Sequence, residues 1–189
     1  MRVLQLNVYT VDELKSAAKE RARQWWRTNS SPDLSFVIDD AKNIGGLMGL
    51  QIDRVMWSGF GSQGDGASFT GTYRHQPYAL RQVRSYAPRD KRLHDLAKRL
   101  QDLQISNRRE LRASITRHSS NYCHEYTMAI SSQGGIHGAH EALTEIFREF
   151  ARWIFQQLQA AYEHDTSDAV VDETLIVNGY EFTEQGKRV

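Results

Sequence analysis

The amino-acid sequence predicts an α+β fold: an antiparallel sheet built from two hairpins plus an N-terminal strand, with about four or five helices packed mainly on one face. Two observations support this prediction. Segments with apolar residues at every second position occur in pairs, and turn-forming residues separate the members of each pair. Between the pairs, apolar residues recur every three or four positions, as on one face of a helix.

Each expected element has its own local signal. Leu4, Leu6 and Val8 alternate in the first strand, and the T-x-x-E box that begins at Thr10 predicts a helix start. Gly49 is placed as the C-terminal stop of a later helix. The expected elements are a strand over 3–9, helices from Thr10 and over 34–48, strands over 50–57 and 67–73, a helix from about Asp90, strands over 111–117 and 122–130, and helices over 141–162 and 168–177.

The segment SGFGSQGDGASFTG, residues 58–71, contains five glycines and one acid between two predicted strands. Because glycine loses more backbone freedom on folding than other residues, such a run indicates a turn of unusual shape. A structural interpretation is that Asp65 caps backbone N–H groups while the glycines adopt positive φ. Alternatively, Asp65 contacts a partner, binds a cation or transfers a proton.

Bulk composition limits the class of protein. The chain of 189 residues and 21.7 kDa is long enough to bury one core, so residues 1–189 are expected to form a single globular domain. Cys123 is the only cysteine, which excludes an intramolecular disulfide. The chain has no run of 18 apolar residues and no apolar leader, so we expect a cytoplasmic protein with no membrane partner.

Charge is distributed unevenly along the chain. Residues 81–117 contain eleven Arg and Lys and four acidic residues, whereas residues 141–189 contain four Arg and Lys and ten acidic residues. The basic segment is a candidate for tracking a phosphate backbone, although no DNA- or RNA-binding motif accompanies it. Both stretches are also compatible with ordinary solvated helix faces.

Catalytic and metal sites have weaker support. His118, Cys123 and His124 lie close in sequence, but the predicted strand places Cys123 and His124 on opposite faces, so we expect no metal and no cofactor. Ser58 and Ser68 lie near Asp65 without the G-x-S-x-G pattern of a nucleophile elbow. We therefore expect no enzyme; a hydrolase or transferase that uses Asp65 is the weaker alternative.

Three passages carry a resemblance: SGFGSQGDGASFTG at 58–71, KERARQWWR at 19–27, and the ending from 150 to 188. Together they resemble a family of small bacteriophage and prophage proteins, usually catalogued as uncharacterised and sometimes labelled antitoxins of toxin–antitoxin stability systems. The resemblance covers nearly the whole chain. It implies a phage-borne accessory protein in the bacterial host cytoplasm, in the class that supplies antitoxins and inhibitors of host defence, anti-CRISPR proteins included.

This setting and the charge pattern predict a non-enzymatic binding protein that inhibits or modulates a bacterial protein or ribonucleoprotein complex. Direct nucleic-acid binding through residues 81–117 is the alternative. Aromatic and arginine residues are the usual anchors of interfaces. The predicted partner-binding residues are Trp25, Trp26, Phe60, Gln63, Asp65, Arg92, Arg99 and Arg109. The oligomeric state is open, and a homodimer is possible.

Overall fold

A computed structural model describes residues 6–118 and 122–189. The helices are α1 (Ser16–Asn29), α2 (Ser35–Leu47), α3 (Ala79–Tyr86), α4 (Lys91–Ser106), α5 (Ala139–Asp165) and α6 (Asp168–Val177). The strands are β1 (Leu50–Trp57), β2 (Ala67–Tyr73), β3 (Arg112–Arg117) and β4 (Met128–Gln133). Backbone contacts divide the chain into two compact units, one formed by residues up to Leu34 with Ala160–Val189 and the other by Ser35–Gln159. The expectation of a single domain stays a prediction.

The larger unit contains the antiparallel sheet, with strand order β1-β2-β3-β4. One face of the sheet is apolar and packs against α5. Phe69 and Tyr73 of β2 lie on this face and contact Phe147 of α5 edge-on, with ring centroids 6.3 and 5.2 Å apart. Antiparallel sheets commonly bury one face and solvate the other. The predicted α+β class, with two hairpins forming the sheet, is confirmed.

Several element boundaries match the prediction. Both strands of the first hairpin span the expected residues, α6 spans 168–177, and α4 begins after Asp90, whose carboxylate accepts a hydrogen bond from the Leu93 N–H. Gly49 ends α2 at φ +92°, where an added Cβ would lie 2.1 Å from the Arg74 carbonyl oxygen. Only glycine fits that position.

Several expectations differ from the structure. The T-x-x-E box is formed, with the Thr10 N–H donating to Glu13 at 2.9 Å, but it closes a single 3-10 turn and α1 begins only at Ser16. The helix α3 was not expected. The strand predicted over 122–130 begins only at Met128, because a 3-10 turn over Glu125–Thr127 interrupts the alternation. The turn expected at 119–121 lies outside the described residues.

The predicted N-terminal strand does not extend the sheet within the described residues. Its first part, 3–5, lies outside them, and Tyr9 makes an isolated antiparallel bridge with Phe182. This bridge belongs to the smaller unit, whose apolar core is formed by α1, α6 and the chain ends. The core residues are Val11, Leu14, Ala18, Ala22, Val171, Leu175 and Phe182.

An ion-pair network joins α1 to α6 in the smaller unit. Arg23 donates through Nε and Nη2 to both carboxylate oxygens of Asp172, at 2.8 and 2.7 Å, and through Nη1 to Asp168 at 2.6 Å. Lys19 adds a contact with Asp172 at 2.9 Å. The hydrogen bond from Arg23 lowers the pKa of Asp172 below its ordinary 3.8. Two acidic residues of the C-terminal segment, Asp168 and Asp172, are therefore paired with basic residues of α1.

We expect Asp172→Asn to lower the free energy of unfolding by about 1–3 kcal/mol at pH 7, because it removes hydrogen bonds between charged groups that are largely shielded from water. A carboxyl with a lowered folded-state pKa stabilises above its unfolded pKa and loses that contribution as pH falls through the folded pKa. The difference in the free energy of unfolding between wild type and Asp172→Asn should therefore shrink below about pH 3.8. Urea denaturation at pH 7 and pH 3 measures both effects.

Asp168→Asn is the matched control, since Asp168 contacts the same arginine but its side chain is 59% exposed, against 18% for Asp172. Exposed ion pairs contribute about 0–1 kcal/mol. Equal losses for the two variants, or a loss for Asp172→Asn that does not change with pH, would contradict the account of this network.

Candidate anion-binding groove

A depression of about 570 Å³ opens on the solvated face of the sheet, where β1 begins and β2 ends. Its floor is a row of small polar side chains that crosses all four strands. Gln51 pairs in register with Thr72, Thr72 with Ser114, and Ser114 with Ser131, so these side chains share one face. The row is exposed and contributes hydroxyl and amide groups.

Cationic side chains surround this floor. Arg74 follows β2, Arg109 precedes β3, and Arg112 is its first residue; all three are exposed and line the depression. An adjoining depression of about 330 Å³ shares Gln51 and Arg74 and adds Lys42 of α2. We call the two depressions together the cationic groove.

The electrostatics of the cationic groove are unbalanced. Arg74, Arg109, Arg112 and Lys42 make no ion pair with any residue that the structure describes, and no acidic side chain lines either depression. Partial burial, and then the charge of Arg109, lower the pKa of His75 below its ordinary 6.5, so His75 is neutral at pH 7. The positive charge at that pH therefore comes from three arginines and one lysine.

The turn that presents Arg109 is an ordered helix C-terminus. The Arg108 N–H donates to the Ile105 carbonyl at 3.2 Å and the Arg109 N–H to the Gln104 carbonyl at 2.6 Å, which is the pattern of a Schellman motif. Position C′ of that motif is usually glycine, yet Arg108 occupies it at φ +54°, and Arg109 follows at φ +62°. Left-handed backbone costs a non-glycine residue about 1–2 kcal/mol, and neither exposed side chain recovers this cost by packing.

Buried amides hold the turn in place. Gln104 Nε2 donates to the Tyr73 hydroxyl at 3.1 Å and to the Leu111 carbonyl at 2.7 Å, so it connects α4 to the end of β2. Asn107 Oδ1 accepts from the Ile136 N–H at 2.7 Å. Burial raises the pKa of Tyr73 to about 12, which keeps its hydroxyl protonated. Arg109 therefore projects from a turn that buried hydrogen bonds hold against the sheet.

Two of the four Arg and Lys residues of α4 form ion pairs with described residues, and a third donates to an uncharged amide. Arg92 donates to Gln156, Arg99 donates to both carboxylate oxygens of Glu149 at 2.8 Å, and Lys98 pairs with Asp102. The sequence predicts one basic surface that contains these residues and Arg109, because sequence spacing does not show which cations have intramolecular partners. The available signal was the alternation of Arg112, Ser114 and Thr116, which places a cation on the polar face of a strand.

The glycine loop over 58–66 lies at the opposite end of the first hairpin. The Gly61 and Ser62 N–H groups donate to Asp65 Oδ2 at 2.9 and 2.7 Å, and these bonds lower the pKa of Asp65, with Ser62 the larger cause. Asp65 thus caps the loop. The expected positive φ is not found at the four glycines over 58–66; among the five of the motif it occurs at Gly71, inside β2 beside the irregular pairing of β1.

Close packing explains one of the loop glycines. A Cβ on Gly66 would lie 3.1 Å from the His124 Cα and 3.2 Å from the Cys123 carbonyl oxygen, whereas a Cβ on Gly61 would meet nothing within 4 Å. Ser58 Oγ also donates to the Cys123 carbonyl, at 3.2 Å. The loop is therefore shaped against the chain that precedes β4.

We expect Gly66→Ala to destabilise the protein by about 1–3 kcal/mol, because the added methyl group overlaps backbone atoms. Gly61→Ala is the matched control and should be neutral or stabilising by up to about 1 kcal/mol, because alanine restricts the unfolded chain. Thermal and urea denaturation of the two variants measure the difference. Equal effects would mean that the loop does not pack on residues 123–124.

The predicted partner-binding residues do not form a single surface within the larger unit. Phe60 stacks on Trp57 with ring centroids 5.1 Å apart, and Gln63 is exposed in the same loop as Asp65. Arg109 lies at the other end of β2, about 20 Å away for a strand of this length. Arg92 and Arg99 are held against α5.

The two tryptophans belong to the smaller unit. Trp25 contacts Tyr180 and Phe182 edge-on at 5.4 and 6.1 Å, and the Arg188 guanidinium lies 4.8 Å from its ring centroid. Trp26 packs against the same core. Both tryptophans are partly buried.

The histidines and the cysteine do not assemble a metal site in the described part of the chain, where no group of three or more His, Cys, Asp or Glu side chains converges. Cys123 is half-buried outside any strand, which corrects the premise that it alternates with His124 on a strand. His124 Nδ1 lies 3.1 Å from Glu125 Oε2, and Arg152 contacts the other oxygen of Glu125 at 3.3 Å. No helix among the described residues is long and apolar enough to span a bilayer.

Comparison with family models matches residues 34–168 to the family described as "Domain of unknown function (DUF8835)". The chain belongs to this family. Comparisons with curated proteins and with solved structures give no match. The DUF8835 match includes the whole sheet, the glycine loop and every residue of the cationic groove, whereas α1 and nearly all of α6 lie outside it.

Proposed function

We propose that this protein binds nucleic acid non-enzymatically, holding a phosphate backbone in the cationic groove. One observation carries the proposal: four cations that have no acidic partner among the described residues surround a floor of hydroxyl and amide groups. The sequence offered nucleic-acid binding through residues 81–117 as the alternative. In this proposal only Arg109 and Arg112 of that segment bind the phosphates, and Lys42 and Arg74 bind them as well.

Phosphate fits the cationic groove better than an acidic protein surface does. The guanidinium group presents paired donors that match phosphate oxygens, and three of the four cations are arginines. Serine, threonine and glutamine side chains are frequent phosphate contacts in protein–DNA complexes. Protein interfaces usually depend on tryptophan and tyrosine anchors as well as arginines, whereas the floor is formed by Gln51, Thr72, Ser114 and Ser131.

We propose binding rather than catalysis because the candidate reactive groups have structural partners. The Asp65 carboxylate caps two backbone N–H groups, and Ser58 Oγ donates to a backbone carbonyl. The phage setting, the bacterial host and the inhibition of a defence complex or toxin stay predictions. Of these predictions, the cationic groove bears only on contact with nucleic acid, for example with the nucleic acid of a ribonucleoprotein complex.

Salt dependence tests the proposal. Neutralising four phosphates predicts a slope of log K against log salt of about −3.6 for duplex DNA, which corresponds to roughly a hundredfold loss of affinity between 50 and 200 mM salt. Fluorescence anisotropy with a labelled 20-base-pair DNA measures this slope. No binding at 50 mM salt, or a slope near zero, would exclude the proposed function.

A further inference from the structure

We infer that the cationic groove takes the sugar–phosphate backbone of a double helix and does not hold the bases of a single strand. This inference rests on the proposed function and specifies its ligand. The evidence is the placement of aromatic side chains on the sheet, the width of the four-stranded sheet, and the chemistry of the floor.

The aromatic side chains of the strands all point away from the groove face. Phe69 and Tyr73 pack on α5, and Trp57 stacks on Phe60, which in turn contacts Phe155 of α5 at 5.5 Å. Proteins that hold single strands stack the bases on aromatic side chains. The floor residues that occupy the equivalent exposed positions here are Gln51, Thr72, Ser114 and Ser131.

The four floor residues present no aromatic ring, which favours a duplex over a single strand. A flexible single strand loses conformational freedom when it is bound, and stacking normally compensates for that loss. A duplex already holds its phosphates in a fixed array, so it needs only cations and donors at matching positions. Tyr78 is 73% exposed, but it lies at the start of α3 beside Arg81, in a separate depression.

The dimensions and chemistry fit a backbone. Four neighbouring strands span about 14 Å, and each nucleotide of B-DNA advances about 3.4 Å along the helix axis. The cationic groove provides four cations for such a backbone: Lys42, Arg74, Arg109 and Arg112. Phosphate contacts carry no direct sequence information, so binding should depend little on sequence.

The test compares a mixed-sequence 20-base-pair DNA, each of its separated strands, a second duplex of unrelated sequence, and poly-L-glutamate at matched charge, all at 100 mM salt. We expect the two duplexes to bind within about twofold of each other. We expect each single strand to bind at least tenfold more weakly. Arg112→Gln should weaken duplex binding, whereas Tyr78→Ala should leave both affinities unchanged.

A gain-of-function variant separates geometry from simple charge density. Ser114→Tyr places an aromatic ring in the middle of the floor, and stacking of one base on it should lower the duplex-over-single-strand ratio at least fivefold. Single strands that bind wild type as tightly as the duplex, with Arg112→Gln weakening them, would overturn the inference and leave the proposed function intact. An unchanged ratio in Ser114→Tyr would also overturn the inference.

Poly-L-glutamate that binds through Arg112 while no nucleic acid binds would overturn the proposed function itself and identify an acidic protein as the ligand. The absence of binding to every probe would overturn both. The failure of the ligand assignment and the failure of the proposed function therefore give different results.

Discussion

The triple substitution of Arg74, Arg109 and Arg112 by glutamine is expected to reduce duplex DNA affinity about five-hundredfold at 0.1 M salt. Each lost phosphate contact lowers the affinity about eightfold at that salt concentration. The salt slope should fall from about −3.6 to about −0.9, because only Lys42 remains. These three arginines are exposed and lack partners among the described residues, so stability should change little. Anisotropy titrations over a salt series measure both quantities.

The matched control removes the same number of charges from α4. Replacing Arg92, Lys98 and Arg99 with glutamine should leave the affinity within about threefold of wild type, because distant exposed charges are largely screened at this salt concentration. Each of these residues already has an intramolecular partner. An equal loss of affinity in both triple variants would show that general basicity drives binding, and that the cationic groove has no special role.

Phe147→Ala should lower the free energy of unfolding by about 3–5 kcal/mol, the range for removing a large buried aromatic side chain. Phe147 is fully buried and supports the rings of both Phe69 and Tyr73. Tyr73 in turn hydrogen-bonds Gln104, at the base of the Arg108–Arg109 turn. Urea denaturation measures the loss of stability, and an anisotropy titration below the unfolding transition measures the accompanying loss of duplex affinity.

Phe36→Ala is the control for this substitution, because Phe36 in α2 is 59% exposed. It should change stability by no more than about 0.5 kcal/mol, as is usual for surface positions. Phe147→Leu, which keeps most of the volume, should cost less than about 1.5 kcal/mol. Similar losses for Phe147→Ala and Phe36→Ala would contradict the assignment of α5 to the buried face of the sheet.

The fold could be predicted where one local signal decided the element. The first hairpin and α6 have clear periods and clear stops, and both occur where expected. The missed elements are those in which the local signal is incomplete. Helix α3 has only two buried residues, Ala79 and Val83, one turn apart. The alternation over 122–126 predicted a strand, but the Glu125 side chain is buried and contacts Arg152, and the backbone turns there instead.

The candidate site could be predicted only in part. Sequence identified the basic segment over 81–117, which contains Arg109 and Arg112. It did not identify Arg74 or Lys42, because the register of the sheet and the packing of α2 against β1 bring these residues to the same groove. The sequence prediction also counted Arg92 and Arg99 of α4 as available to a ligand. Their contacts with α5 are tertiary and could not be read from the sequence. Long-range pairing of this kind leaves no periodic signal in one sequence.

The most direct test of the central claim is to map the bound surface residue by residue. In a titration of ¹⁵N-labelled protein with unlabelled duplex DNA, the account predicts that the largest amide shift changes fall within 72–75 and 107–114, with the glycine loop over 58–66 unaffected. Largest changes in the glycine loop, or over 91–99 of α4, would contradict it, because the ligand would then lie away from Arg74, Arg109 and Arg112.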